Sequence, residues 1–332
     1  MSAMNSHKQA KPVEPGRWRD WAVTAAAITL GLLFWELILS NPDNVSAINS
    51  AIRDTTGWNP RLRFFSPTMM PRPSSIARAF FITPNNGRGG MLFFAEHTQA
   101  SLFAALLGFV LGNGLAILIA TLFLYVKSLE RALMPIALAL RSIPLVAITP
   151  LLLRIRFTLA DLPAVKENPL LYLLFGTENT IKMIVVVIIV FFPTLVNVAR
   201  GLESVDLPAL EFLHSLSASE WYIYWQVRVP TALPLAFAAF KVAASASVLG
   251  VVVSEWLSSN QGLGYIMYQG GTGTGVAEMW VAMIITTCLA LALFWIVDLV
   301  EKIVLPWHQS VIALKQAMEG FERVTRIQAQ AS

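Results

Sequence analysis

The sequence has one cysteine, Cys288, among 332 residues, and it has few charged side chains. A single cysteine allows no disulfide bond within the chain and no cysteine-rich metal site. Charged residues make up 13% of the chain, about half of their usual share in a globular protein. A soluble protein of this length could not cover its surface with so few charges, so the composition excludes the soluble globular class.

Motifs for binding nucleotides, metals and nucleic acids are also missing. The glycine-rich run 270–275 lacks the lysine of a GxxxxGK[ST] phosphate-binding loop, and it is interpreted as a flexible loop. The four histidines (His7, His97, His214 and His308) form no HExxH or similar spacing. The net charge of +4 comes without a long run of Lys and Arg, so no nucleic-acid partner is expected. We expect no catalytic residue, metal or cofactor in this chain.

Hydrophobic residues, by contrast, make up 56% of the chain and are grouped in long runs. A helix that crosses a bilayer needs about 20 apolar residues. The stretches that meet this requirement are 21–39, 98–124, 132–153, 181–199, 233–256 and 280–300. The sequence therefore predicts an all-α fold, a polytopic membrane helix bundle with about six spans.

Polar segments divide the chain into three regions. They are an N-terminal region over residues 1–65, a helical core over 66–305 and a C-terminal tail over 306–332. The first span is interpreted as uncleaved, because no A-x-A-like cleavage site accompanies it. Segment 40–97 is predicted to be irregular apart from a short helix at 74–82, and 154–179 is a second polar insertion.

Six spans would place both chain termini on one side of the membrane. The Lys and Arg residues are almost equally divided between the two sides, so the positive-inside rule gives only a weak preference for one orientation. The basic N-terminus and the loop 257–279, which has no Lys or Arg, favour cytoplasmic termini.

The segment that joins the fourth and fifth predicted spans, 201–231, has the pattern of a helix, a turn and a second helix. Pro208 suits a first helical turn, where its missing N–H would be unpaired anyway. Ser219 is a predicted N-cap for the second helix, which is expected to end at 228–230. An ordinary amphipathic loop with an interfacial aromatic belt would have a similar composition.

The spacing in this loop resembles the EAA-x3-G-x9-I-x-LP loop of binding-protein-dependent ABC importer permeases. The residues at the matching positions are Glu211, Phe212, Leu213, Ser217, Val227, Val229 and Pro230. Phe212 and Leu213 replace the two alanines, and Ser217 replaces the glycine. A left-handed conformation costs a serine about 1 kcal/mol, so the turn is expected to be reshaped.

Short motifs elsewhere are similar to the nitrate/sulfonate/taurine/bicarbonate-like subgroup of that family. They lie at 71–74, 129–131, 140–144, 191–193, 201–206, 255 and 262–265. The resemblance covers 66–305, which would be the permease core. The segment 40–65, the insertion 154–172 and the tail depart from the family pattern, and nothing in the sequence indicates their role.

The resemblance implies a type I ABC importer permease, a multi-pass protein of the bacterial cytoplasmic (inner) membrane. In that family the loop is a coupling helix that docks on cytoplasmic ATPase subunits. The chain would then be a transport subunit and not an enzyme, with ATP and Mg bound by the partner. Further implied partners are an extracytoplasmic solute-binding protein, membrane lipid and a second permease copy. The solute would be small, with an anion such as nitrate, a sulfonate or bicarbonate as one candidate.

Polar residues within the fifth span are candidates for the pathway or its gate. Lys241 either guides an anion, or reaches the membrane surface or pairs with another helix. Glu255 is either a gate or docking contact, or an exposed charge at the helix end. Ser245 and Ser247 belong to a run of small residues that either lines the pathway or packs against neighbouring helices.

Arg141 is a further pathway candidate, at the break that Pro144 is expected to introduce into the third span. That break could equally serve packing.

Two other classes of function remain. A secondary transporter or channel without an ATPase would have inverted repeats and charges at mid-membrane. A membrane enzyme would need a cluster of metal ligands or a nucleophile. We find neither pattern in the sequence.

Overall fold

The structure, a computed structural model, describes residues 17–39, 42–56, 70–82, 90–141, 144–169, 172, 179–272 and 275–306. These residues are almost entirely helical and include no β-strand. The chain divides into two compact units, with the boundary between Phe81 and Ile82. The predicted all-α fold is confirmed.

In the described part of the first unit there are three helices. They are α1 (Arg17–Phe34), which continues through a π-helical turn at Trp35–Leu39, α2 (Pro42–Thr56) and α3 (Pro73–Phe81). Helix α3 confirms the short helix predicted at 74–82. The prediction of irregular structure was wrong for α2, where Val45, Ile48 and Ile52 recur at helical spacing within a polar segment.

Glu36 has a local structural role in this first unit. Its carboxylate accepts hydrogen bonds from the backbone N–H of Ser74, at 3.1 Å, and from the Ser74 hydroxyl, at 2.8 Å. Ser74 lies in the first turn of α3, where backbone N–H groups lack partners within the helix. The Glu36 side chain thus caps α3, and the 71–74 motif supplies the turn that it caps.

The second unit contains ten further helices among the residues that the structure describes. They are α4 (Gly90–Tyr125), α5 (Lys127–Arg141), α6 (Leu145–Ala160), α7 (Pro163–Glu167), α8 (Asn179–Glu203), α9 (Leu207–Ser215), α10 (Glu220–Ile223), α11 (Val229–Ser258), α12 (Leu263–Gly271) and α13 (Val276–Val304). Four helices of the described chain are long and apolar enough to cross a membrane, namely α4, α8, the continuous helix Glu220–Ser258 and α13. They correspond to four of the predicted spans.

The remaining two predicted spans differ from these four. Helix α1 is apolar over Val23–Leu37, in the place predicted for the first span. The third predicted span, 132–153, is not one continuous helix, because α5 ends at Arg141 and α6 begins at Leu145. The break flanks Pro144, whose ring and missing N–H disfavour an uninterrupted helix there, as predicted.

Glycines bring α4 and α8 into close contact at the centre of the second unit. A Cβ atom on Gly108 would lie 2.6 Å from the Val186 Cβ, and one on Gly112 would lie 3.1 Å from the Val187 Cα. The first distance excludes a side chain unless something shifts and the second is tighter than ordinary contact, so α4 and α8 approach each other closely at these glycines. Small residues at a helix interface permit this approach in membrane proteins.

Helix α12 lies in the glycine- and serine-rich segment that the sequence suggested to be a loop. Leu263, Ile266 and Met267 are buried, at the spacing of one helix face. Gly270 and Gly271 complete α12, so the interpretation of 270–275 as a flexible loop was wrong for these two residues. Residues 307–332 of the C-terminal tail lie outside the described residues.

Candidate functional site

Helix α9 presents apolar side chains on its surface, and none of its residues is buried. Leu207 and Phe212 are 71% and 63% exposed. Glu211 is exposed beside them and Leu213 is partly buried. Pro208 lies in the first turn of α9, as predicted. An exposed apolar patch of this kind is typical of a surface that docks on another protein.

The turn after α9 is left-handed at Ser217, the position where the family pattern has glycine. Ser217 has a φ of 58°, so the expected reshaping of the turn was wrong. Its N–H donates to the His214 carbonyl at 2.9 Å, and the N–H of Ala218 donates to the Leu213 carbonyl at 3.1 Å. This pair of bonds is a Schellman motif, which ends helices that have a left-handed residue after the cap.

We therefore expect Ser217→Gly to raise the free energy of unfolding by up to about 1 kcal/mol, since glycine has no Cβ to strain in this conformation. The matched variant Ser215→Gly should lower it by up to about 0.5 kcal/mol, because Ser215 is the last residue of α9 and glycine has the lower helix propensity. Thermal unfolding of the purified protein in detergent measures both. Equal destabilisation by the two variants would contradict the left-handed assignment.

The second helix of the loop does not end at 228–230 as predicted. Ser219 caps it, accepting a hydrogen bond from the Tyr222 N–H at 3.3 Å, which confirms the predicted cap. The helix then widens into a π-helical turn at Tyr224–Arg228 and continues as α11. Pro230 lies just after this turn, and the wider turn relieves the clash of its ring with the preceding turn.

The remaining residues of the matched spacing lie at this junction. Val227, Val229 and Pro230 are partly buried where the π-helical turn meets α11. The matched residues thus occupy the surface of α9, the turn at Ser217 and the start of α11.

Two hydrogen bonds attach the π-helical turn to neighbouring helices. The guanidinium of Arg228 donates to the backbone carbonyl of Leu202, at the end of α8, at 3.0 Å. The hydroxyls of Tyr224 and Thr121 lie 2.9 Å apart, which joins the turn to α4. The turn is therefore fixed to the ends of two spanning helices.

The end of α8 has two further attachments. Glu203 forms an ion pair with Lys127 at the start of α5. A Cβ atom on Gly201 would lie 2.9 Å from the Ala232 Cα, so α8 and α11 are in direct backbone contact there. These contacts fix the end of α8 and the start of α11, the two helices that flank the exposed helix α9.

Lys241 pairs with acidic residues on α13. Its ammonium lies 3.3 Å from an Asp298 carboxylate oxygen and 2.5 Å from one of Glu301. Lys302 pairs with Asp298 at 2.7 Å. The two cations and two carboxylates balance, so the predicted inter-helix pair is present. A role for Lys241 in guiding an anion stays a prediction.

Glu255 is buried, with 1% of its surface exposed, so its interpretation as an exposed end charge was wrong. Its carboxylate lies 3.0 Å from the Lys182 ammonium on α8. It also accepts hydrogen bonds from the Ser101 hydroxyl on α4, at 2.8 Å, and from the Gly264 N–H on α12, at 2.8 Å. A role for Glu255 as a gate or docking contact stays a prediction.

Three further bonds surround this ion pair. Lys182 donates to the Gln261 carbonyl at 3.1 Å, and the Gly262 N–H donates to His97 Nδ1 at 2.9 Å. The Leu263 N–H donates to Ser101 at 3.0 Å. Sequence reasoning missed this cluster, although a charge buried in a membrane protein needs a partner.

The other pathway candidates are not gathered into this cluster. Ser247 is buried and Ser245 is partly buried, and each hydroxyl donates to a carbonyl of its own helix, those of Ala244 and Val242. Arg141 is the last residue of α5, and its side chain lies outside the described residues. The candidates are therefore spread along α11 and beyond it.

Comparison with known proteins identifies the family. The model of the "binding-protein-dependent transport system inner membrane component" family matches residues 112–308, more than half of the chain. The chain therefore belongs to this family. It is an inner-membrane, multi-pass permease subunit of an ABC importer, as predicted, and this favours the permease over a secondary transporter or channel.

Several relatives are individually similar. The chain is 28% identical over 243 residues to the formylaminopyrimidine transport permease protein ThiX of Halalkalibacterium halodurans, covering 73% of this chain and 87% of the relative. It is 28% identical over 245 residues to the putative aliphatic sulfonates transport permease protein SsuC of Bacillus subtilis, covering 74% and 80%. It is 25% identical over 285 residues to the taurine transport system permease protein TauC of Escherichia coli, covering 84% and 95%. The predicted resemblance to sulfonate- and taurine-type permeases is confirmed.

Proposed function

We propose that this permease couples to a separate cytoplasmic ATPase through the surface formed by α9 and the turn at Ser217. The observation that carries the proposal is that α9 exposes Leu207 and Phe212 while its neighbours are firmly attached. An exposed apolar helix whose flanking helices are fixed by contacts is suited to receive force from a docked partner. In the lipid-spanning helices exposed apolar side chains face lipid, but α9 is too short to span a bilayer.

This assignment fixes an orientation. If α9 meets a cytoplasmic ATPase, the start of α11 is cytoplasmic and both termini are too, given six spans. The Glu255 end of α11 and helix α12 are then on the extracytoplasmic side. A solute-binding protein would deliver the solute on that side.

The pathway is proposed to lie between two copies of this chain and to carry a small solute. The relatives' names mention aliphatic sulfonates, taurine and a formylaminopyrimidine, which share small size but not charge. The balanced charges around Lys241 favour no particular solute charge. Aliphatic sulfonates are the first solutes to test.

Transport in proteoliposomes tests this function. The permease is reconstituted with its cognate ATPase, with Mg-ATP on the α9 side and the solute-binding protein on the other. We expect solute uptake that requires ATP and stops when the binding protein is omitted. Uptake driven by a proton or sodium gradient without ATP would instead support a secondary transporter.

A further inference from the structure

The carboxylate of Glu255 joins four helices at one point. Glu255 belongs to α11, and its partners Lys182, Ser101 and Gly264 belong to α8, α4 and α12. Ser101 contacts both carboxylate oxygens, at 2.8 and 3.0 Å. The contact with α12 is made to a backbone N–H in its first turn, where such groups lack partners within the helix.

Two glycines allow α12 to come this close to the carboxylate. Gly262 has a φ of 112°, and a Cβ atom there would overlap the Glu255 carboxylate. A Cβ atom on Gly264 would lie 2.8 Å from the Glu255 Cβ and would also collide with the Val252 carbonyl. The backbone at the start of α12 is therefore shaped around Glu255, which supports the same attachment independently of charge.

The helices that meet at Glu255 are also joined at mid-length. The Thr194 hydroxyl on α8 donates to the Asn113 side-chain oxygen on α4 at 2.7 Å, and both residues are buried. Gly250 of α11 lies against Ile189 of α8, where a Cβ atom would be 2.6 Å from the Ile189 Cδ1.

At the opposite end the same helices hold the segment 201–231, which contains α9 and is called the coupling loop below. Arg228 and Tyr224 attach it to α8 and α4 through Leu202 and Thr121. Helices α4, α8 and α11 are thus connected near the loop, at mid-length and at Glu255. Energetic coupling between distant sites is carried by packed side chains and hydrogen bonds of this kind.

We propose that Glu255 is a positioning residue for transport. It fastens α12 to α4, α8 and α11, so that a displacement of the coupling loop reaches α12 at the far end of the bundle. From Val229 to Glu255 this is about 39 Å at the helical rise. The inference rests on the proposed function, which supplies the ATPase that displaces the loop.

The chemistry of the attachment suits transmission. If the two side chains separated, each charge would lose its partner without gaining water, because 1% or less of either side chain is exposed. The start of α12 is held to this pair by the Gly264 N–H, which donates to Glu255, and by the preceding Gln261 carbonyl, which accepts from Lys182.

The test uses variants that loosen the attachment and leave the ion pair in place. Gly264→Ala introduces the colliding Cβ atom, and Ser101→Ala removes one hydroxyl and is the milder change. Gly271→Ala is the matched control in the same helix, since nothing lies within 4 Å of its Cβ position. Each variant is studied as the complete reconstituted complex with its ATPase and solute-binding protein.

Two measurements distinguish transmission from mere structural support. The first is amide hydrogen exchange of the peptide 259–272, which we expect to accelerate at least about tenfold in Gly264→Ala. The second is the number of solute molecules moved per ATP hydrolysed, which should fall at least about tenfold while ATPase binding and basal hydrolysis stay within about twofold. Ser101→Ala should change both in the same direction, and Gly271→Ala should change neither.

The outcomes separate this inference from the proposed function. Faster exchange of 259–272 with an unchanged transport-to-ATP ratio would overturn the inference, and so would unchanged exchange in both Gly264→Ala and Ser101→Ala. If Gly264→Ala does not fold, Ser101→Ala decides. A wild-type complex that hydrolyses no ATP would contradict the proposed function, and the exchange comparison would still decide whether Glu255 fastens α12.

Discussion

Replacing Lys182 with methionine should lower the free energy of unfolding by about 3–5 kcal/mol, because it leaves the Glu255 carboxylate buried without its counter-charge. Both side chains of this pair are at most 1% exposed, so water cannot replace the lost partner. Thermal unfolding in detergent, or unfolding by a denaturant at fixed detergent, measures the change. We expect this loss of stability to exceed that from removing any one charge of the exposed ion pairs.

The double variant Lys182→Met/Glu255→Gln provides the decisive comparison. Removing both charges leaves no buried ion, so the double variant should be more stable than Lys182→Met alone. Lys166→Met is the control, since Lys166 pairs with Asp161 at 3.2 Å on the surface. That exposed pair should contribute less than about 1 kcal/mol. Equal losses from Lys182→Met and Lys166→Met would show that the buried pair does not stabilise the bundle.

Hydropathy was sufficient to predict the four long spanning helices. The lipid requires long apolar runs and imposes internal hydrogen bonding, so α4, α8, α11 and α13 could be located from composition alone. Hydropathy failed where helices form in segments of polar or glycine-rich composition. Helices α2 and α12 lie in polar or glycine-rich segments, and their spaced apolar residues were outweighed by the composition around them.

The loop 201–231 could be recognised because its signals are local. Pro208 and Ser219 each affect backbone groups within one helical turn of their own positions. The spacing from Glu211 to Pro230 matches the family pattern and can be read directly from the sequence. The left-handed Ser217 could not be foreseen, because serine usually avoids that conformation and the Schellman bonds that hold it involve the backbone. The residue types before Pro230 do not indicate the π-helical turn.

The cluster around Glu255 depends on distant stretches of the chain. Lys182 is 73 residues from Glu255, and Ser101 is 154 residues away. Only the antiparallel course of α8 and α11 brings the start of one span beside the end of the other. A rule that pairs buried charges at the same membrane side would have suggested Lys182, but nothing in the sequence singles out Ser101.

Replacing Phe212 with alanine should weaken ATPase binding by about 30-fold or more, the effect of losing one central apolar contact in a protein interface. Phe212 is 63% exposed on α9, so its removal takes little from the fold. Alanine also favours the helix more than phenylalanine does, so a binding defect could not be assigned to unfolding of α9. The affinity is measured with the permease in nanodiscs and the purified ATPase, together with ATP-dependent uptake in proteoliposomes.

Leu162→Ala is the matched control for this prediction. Leu162 is another exposed apolar residue, 45% exposed, but it lies between α6 and α7 in the insertion that precedes span four. With α9 on the cytoplasmic side, this insertion is on the opposite side of the membrane and cannot contact the ATPase. ATPase binding should therefore depend on Phe212 and be indifferent to Leu162. If binding depended on Leu162 and not on Phe212, the ATPase would dock on the other side of the membrane. The orientation would then be inverted, and α12 would no longer lie on the side where the solute enters.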